Sequence, residues 1–235
     1  MNQNTSNNTL TDTTVYSGDH TAAQSTHSLE VQRVLRNTYA LLAMTLLFSA
    51  AVASAAVTWR LPAPGLILTL VGYFALLFAI HKFQNSGWAL PAVFALTGFM
   101  GYSLGPILTH YLAVPGGSQT VGMALGATGV TFLSLSAYAL TSRKDFSFMG
   151  SFLFMGMVIA MLAGLAAMFF EIPALSLAVS AMVALLSAGL ILFETSQIVN
   201  GGERNYLLAT VSLFVSVFNL FTSLLALFGV GGNNE

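Results

Sequence analysis

Seven stretches of this chain are almost continuously apolar, and short polar breaks separate them. They lie near residues 37–58, 61–81, 88–109, 119–141, 147–170, 173–199 and 206–229. Each is long enough for a helix to cross about 30 Å of hydrocarbon. The breaks carry turn chemistry: LPAPG at 61–65, QNSG at 84–87, AVPGGS at 113–118, SRKDFS at 142–147, EIP at 171–173 and NGGERN at 200–205. Residues 1–30 are Asn-, Thr- and Ser-rich and lack apolar periodicity, which predicts a disordered tail. The expected organisation is a tail (1–30), a seven-helix transmembrane domain (31–230) and a short C-terminal tail (231–235). The fold class is an all-α membrane protein. No cleavable signal peptide is expected, because the first apolar run begins only near Asn37.

Composition strengthens this reading. Of the 235 residues, 56% are hydrophobic and only 6% are charged, about a quarter of the usual charged share. Cysteine is absent, which excludes disulfides, thiol catalysis and thiolate metal sites. A net charge of −1 gives no general attraction to nucleic acid. With seven spans, Arg33, Arg36, Lys82, Arg143, Lys144 and Arg204 fall on one side and Arg60 alone on the other. The positive-inside rule then places the N-terminus in the cytoplasm and Glu235 on the far side. Without an internal repeat, a transporter built from inverted halves is not supported.

Small residues recur at helical spacing. Gly101 and Gly105 form a G-x-x-x-G, and Gly122, Gly126 and Gly129 continue the theme in the fourth span. Their expected role is close helix packing. Gly105-Pro106 is expected to kink or interrupt the third helix. The stretch GYSLG (101–105) also matches G-x-S-x-G, which in a hydrolase makes Ser103 the nucleophile. That chemistry needs a strand–turn–helix elbow and a positioned histidine. The motif lies inside an apolar helix, and His81 and His110 belong to opposite ends of the second and third spans. The chain is therefore expected not to be an enzyme.

Glu194, in ILFETSQIV (191–199), is the one carboxylate well inside a span. It lies about 7–8 Å from the end of the sixth helix at 1.5 Å per residue. An ionisable group there costs roughly 2.5–3.5 kcal/mol on insertion, and burial disfavours its charged form. Ser187 and Ser180 precede it on nearly the same face. The seventh span carries a matching stripe of Ser212, Ser216, Asn219 and Ser223, at offsets of four, three and four. Two polar faces on consecutive helices are expected to meet inside the bundle. They serve either as interhelical hydrogen-bond glue or as a titratable, polar pathway.

At these residues the chain resembles the Bax inhibitor-1 (transmembrane Bax inhibitor motif) family. The matching stretches are GPILTHY (105–111), SRKDFSFMGSFL (142–153), ILFETSQIVNGGE (191–203) and SLFVSVFNLFTSLLALFG (212–229). THSLEVQRVLRNTY (26–39) and LPAPGLILTLVG (61–72) look like the family's bacterial YccA-like branch. The resemblance implies a seventh helix held centrally, ringed by the other six. It also implies a calcium or proton leak gated by two aspartates, with a basic partner at the end of the second helix. Glu194 matches the first aspartate. Ser216 falls at the second, a departure that removes the coupled titration of two carboxylates. Calcium, which favours several oxygen ligands, becomes a weaker fit. Glu194, Ser216 and Asn219 are the expected pH or ion gate, and His81 and Lys82 are the candidate basic partners.

The YccA-like branch implies a different role. Such proteins bind the membrane-anchored AAA protease FtsH, restrain its degradation of membrane proteins and associate with the HflK–HflC complex. The resemblance therefore implies a modulator in the bacterial inner membrane, N-terminus cytoplasmic and C-terminus periplasmic. An unstructured tail would suit an ATP-driven protease as a handle. The alternative is a pH-sensitive calcium or proton leak centred on Glu194.

Overall fold

A chain crossing hydrocarbon has to satisfy its backbone N–H and C=O groups internally, so apolar segments of this length become helices. The computed structural model describes the backbone of residues 10–231 and the side chains of residues 29–230. The rest of the expected N-terminal tail (1–9), and nearly all of the C-terminal one, lie outside the described residues. The helices are α1 (Leu10–Thr58), α2 (Leu66–Phe83), α3 (Ala89–Leu112), α4 (Gly117–Ser142), α5 (Gly150–Phe169), α6 (Pro173–Val199) and α7 (Tyr206–Gly231). A 3-10 turn at Ser147–Met149 leads into α5. All seven are long and apolar enough to cross a membrane, and the described residues contain no strand.

One boundary differs from expectation. The backbone of α1 is helical from Leu10, across much of the segment read as a disordered tail. The apolar part of α1 already provides a helical nucleus, and adding residues to an existing helix is far easier than starting one. Val34 and Leu35, flanked by Arg33 and Arg36, pack on the main core cluster. Of the kink or interruption expected at Gly105-Pro106, the interruption does not occur: α3 continues through Pro106. Prolines are tolerated in such helices when neighbouring groups take up the freed backbone.

The seventh helix is central. Its apolar window is 44% buried, against 6% for α2 and 17% for α5. It packs against α1, α3, α4 and α6. The ring is incomplete, however: α2 leans chiefly on α3, and α5 on α6. One core cluster joins Leu41 and Leu42 of α1, Ile80 of α2, Val93 and Leu96 of α3, and Leu213 and Phe214 of α7. A second joins Ala184 and Ile191 of α6 to Val217 and Leu220 of α7. The outer surface is studded with Phe74, Phe78, Phe152, Phe154 and Phe169, as a lipid-facing surface requires.

The glycine motifs divide sharply. A methyl group on Gly101 would overlap the Ser49 carbonyl oxygen, and one on Gly105 would overlap the Ala56 side chain. These two glycines are what lets α1 and α3 lie so close. Gly122, Gly126 and Gly129 of α4 do the opposite, with open space where a side chain would go. The expected packing role is wrong for these three within the chain. The buried face of α4, with Ala124, Thr128 and Ala139, lies on the other side of the helix.

Candidate functional site

α6 and α7 pack directly against each other, and the turn between them explains the register. The sequence NGGERN reverses the chain within a few residues. Gly201 takes φ 75°, a left-handed conformation that suits glycine. The Gly202 and Glu203 N–H groups both donate to the Gln197 carbonyl, at 2.8 and 3.2 Å. The Asn205 side chain then accepts from the Leu207 N–H at 3.0 Å, capping α7. With the turn fixed, the two polar stripes face each other.

Their point of contact is Glu194 and Ser216. The Ser216 hydroxyl lies 3.1 Å from one Glu194 carboxylate oxygen and 3.0 Å from the other, and donates to that group. Ser216 is fully buried, whereas Glu194 is half-buried. Among the described residues, Ser216 is the hydrogen-bond partner of Glu194. Asn219 shares the face of Ser216 but stays a turn away from the carboxylate, and its backbone carbonyl accepts from Thr222. Tyr73 of α2 packs, partly buried, against the main core cluster.

Glu194 also borders a cavity of about 250 Å³, which continues past Gln197 and Ser212 to Gly202 and Glu203 in the turn. The carboxylate is therefore not sealed in apolar packing on every side. One carboxylate and one hydroxyl make a poor calcium site, because calcium takes six to eight oxygens. They make a good interhelical clamp, since an intramolecular hydrogen bond contributes about 0.5–1.5 kcal/mol.

A second polar cluster sits beside this pair. The α4–α5 loop folds against the end of α6. The Ser196 hydroxyl donates to the Lys144 carbonyl at 2.9 Å and accepts from the Phe146 N–H at 3.2 Å. The Asn200 amide donates to the same carbonyl at 3.2 Å. Gln197 donates to the Ser147 hydroxyl at 2.7 Å. Asp145 accepts from both the Ser147 backbone N–H and its hydroxyl, and these bonds hold its carboxyl below the usual carboxylate range. Arg143 closes α4 at φ 50°, a left-handed conformation that a residue with a Cβ rarely adopts. The bonds from α6 to Lys144 and Phe146 hold the loop in that geometry.

Several expected site residues are not brought together. His81 is exposed, and its Nδ1 pairs with the Leu77 carbonyl at 3.1 Å. Lys82 is exposed, with its ammonium 5.9 Å from the centre of the Phe83 ring. Neither forms a hydrogen bond or ion pair with Glu194 among the described residues. Ser103 lies inside α3 and donates to the Phe99 carbonyl at 3.0 Å, an ordinary helical back-bond. The elbow a hydrolase needs is absent there. Sequence reasoning missed Ser196, Asn200 and Glu203. Ser196 and Asn200 stand four apart beside Glu194, and that spacing was the available signal.

The two polar clusters join the stretches that carry the family resemblance, 142–153, 191–203 and 212–229. A family model described as inhibitor of apoptosis-promoting Bax1 matches residues 31–234. The chain belongs to the Bax inhibitor-1 family. It is 51% identical over 213 residues to the modulator of FtsH protease YccA of Escherichia coli K12, covering 91% of this chain and 94% of that one. The same identity holds for a protein of Escherichia coli O6:H1 named inner membrane protein YccA. A Pseudomonas aeruginosa protein is 50% identical over 206 residues, covering 88% of this chain and 93% of its own. Family membership thus covers the whole seven-helix bundle, including the α6–α7 pair and the α4–α5 loop.

Proposed function

We propose that this chain is a bacterial inner-membrane protein that binds a membrane-anchored AAA protease of the FtsH type and restrains its degradation of other membrane proteins. The observation that carries this reading is the 51% identity, across nearly the full length of both chains, to a protein named modulator of FtsH protease. The name of the Escherichia coli O6:H1 relative supports the inner membrane as its location. The excess of basic residues at one set of helix ends supports a cytoplasmic N-terminus and a periplasmic C-terminus. In this reading the protease engages the polar segment 1–30, and HflK–HflC is a further partner.

The physical logic is one of poor extractability. A protease that pulls on one end has to unravel a bundle whose central helix is its most buried element. The Glu194–Ser216 clamp and the α4–α5 loop bonds resist the separation of α6 and α7. A substrate that engages but yields slowly occupies the protease, which spares other substrates. Glu194, Ser216 and Asn219 act here as packing groups.

Deletion of residues 2–30 tests the reading in cells. Overproduced full-length chain should lengthen the half-life of an unstable membrane protein that the protease degrades, and the deleted chain should not. Equal effects of the two chains would remove the N-terminal segment from the mechanism. No effect of either would remove the function.

A further inference from the structure

The α1 and α4 helices meet toward one end of the bundle and part toward the other. The Tyr39 and Phe132 rings lie with centroids 6.0 Å apart, beside Thr195 of α6. Further along, α1 and α4 make no extended contact. The wedge between them is a groove of about 660 Å³. Its floor is the central helix, since Phe214, Val217 and Phe221 of α7 line it and are buried. Its lips are open: Leu47 of α1 is 72% exposed and Leu125 of α4 58% exposed. Gly129 leaves part of the α4 wall without a side chain. The packing around α7 is broken on this side, and the central helix borders lipid there.

Shape and lining select the occupant. Along α1 the groove runs from Leu46 to Thr58, the last residue of that helix. At 1.5 Å per residue this is about 18 Å, close to one leaflet of a bilayer whose hydrocarbon is roughly 30 Å thick. The Thr128 and Thr58 hydroxyls turn back onto the Ala124 and Ser54 carbonyls of their own helices, at 2.7 and 2.8 Å. A buried water needs two to four polar partners, so this lining favours hydrocarbon. A helix, about 10–12 Å across, would need about 1,400 Å³ or more over this length, over twice the volume of the groove. An acyl chain needs roughly 400 Å³, taking each methylene as about the size of a water, roughly 30 Å³. The chain fits and the helix does not.

The same end of α1 carries a charge. The helix stops in two backbone bonds, from the Leu61 N–H to the Ala56 carbonyl at 3.0 Å and from the Arg60 N–H to the Val57 carbonyl at 3.2 Å. The left-handed residue of this motif is usually glycine. Here it is Arg60, at φ 51°. Arg60 is exposed, and among the described residues it is the one Lys or Arg at this end of the helices. Trp59 beside it is 72% exposed, and tryptophan favours the headgroup level of a bilayer. An arginine fork matches the oxygens of a phosphate. We propose that the groove is a phospholipid site. One acyl chain of a diacyl phospholipid lies on α7 between α1 and α4, and the lipid phosphate pairs with Arg60. The lipid closes the gap beside the central helix. This site is independent of the protease reading.

Lipid retention by the full-length chain tests this. The chain is extracted in detergent from membranes of phosphatidylethanolamine and phosphatidylglycerol, and native mass spectrometry counts the phospholipid kept after washing. Wild type should keep one phospholipid per chain. Ala50→Trp and Gly129→Leu fill the groove from opposite walls, at an exposed position and at one with open space for a side chain. Both should lose the lipid. Gly122→Leu, on α4 but outside the groove, should keep it. Arg60→Gly relaxes the left-handed backbone, yet it should lower occupancy about fivefold, the effect of one basic residue near an anionic surface. Thermal unfolding separates lost binding from a lost fold: added phosphatidylglycerol should raise the midpoint of the delipidated wild type and leave that of Ala50→Trp unmoved. Equal retention by wild type and both filled variants would overturn the site. Disulfide cross-linking of Ala50→Cys between two chains, in a protein with no other cysteine, would give the groove to a second copy instead. Unchanged occupancy in Arg60→Gly would overturn the phosphate contact.

Discussion

Ser216 of α7 donates its hydroxyl to both carboxylate oxygens of Glu194 on α6, at 3.1 and 3.0 Å. The family resemblance implies a second carboxylate where this chain has Ser216. Two carboxylates at this distance could not both ionise without strong repulsion. A serine converts that repulsion into a hydrogen bond, which favours holding the two helices together in one arrangement.

Replacing Ser216 with alanine should therefore loosen the bundle. The variant leaves Glu194 without its partner, and a buried group left unsatisfied costs about 1–3 kcal/mol. Hydrogen bonds inside membranes average closer to about 0.6 kcal/mol, so a loss of about 1 kcal/mol is expected. Ser216→Thr keeps the hydroxyl and should lose less. Thermal unfolding in detergent, compared with wild type, measures both.

Glu194→Gln should be tolerated far better than Ser216→Ala. Its amide oxygen still accepts from Ser216, and the penalty of a charge in a low-dielectric interior disappears. The expected change in stability lies within about 1 kcal/mol of wild type. A collapse of the fold in Glu194→Gln would show that the charge itself holds α6 against α7.

The α4–α5 loop offers a built-in reporter, because Arg143 and Lys144 form a tryptic site. Ser196→Ala removes a donor to the Lys144 carbonyl and an acceptor for the Phe146 N–H. Losing about 1 kcal/mol of local stability raises the open fraction about fivefold. Cleavage after Arg143 or Lys144 should accelerate by that factor in Ser196→Ala. Asn200→Ala should show a smaller increase, since its bond to Lys144 is the longer one.

Acid should loosen the same loop. Asp145 is held below the usual carboxylate range by the hydroxyl and N–H of Ser147. A carboxyl lowered by folding stabilises the folded loop above its unfolded value, near pH 4 for aspartate. That contribution is lost as the pH falls through the lower folded value. Amide exchange at Ser147 should be more protected in wild type than in Asp145→Asn at neutral pH. The difference should vanish in strong acid.

The glycines separate by environment. Gly101→Ala forces a methyl group onto the Ser49 carbonyl and should cost about 1–3 kcal/mol by overpacking. Gly126→Ala meets open space and should be neutral or stabilise by up to about 1 kcal/mol through helix propensity. Thermal unfolding of the two variants, side by side, decides this. Equal effects would contradict the packing described here.

Hydropathy made the seven spans and their order legible, because about 20 apolar residues in a row have few other uses. The meeting of Glu194 and Ser216 was legible too, since offsets of three and four place polar groups on one helix face. The glycine stripe of α4 was misread for a related reason. Spacing says that Gly122 and Gly126 share a face, and nothing in the spacing says whether another helix of the chain covers it. The Ser196–Lys144 contact joins residues 52 positions apart, a separation over which local periodicity carries no information.

The most direct measurement of the central claim is degradation in proteoliposomes. A purified FtsH-type protease is reconstituted with an unstable membrane protein, with and without this chain at equal amounts. ATP hydrolysis is followed in parallel. The account predicts that the chain slows degradation of the substrate several-fold while ATP hydrolysis continues and the chain itself is consumed slowly. Substrate degradation at the same rate with and without the chain would contradict it.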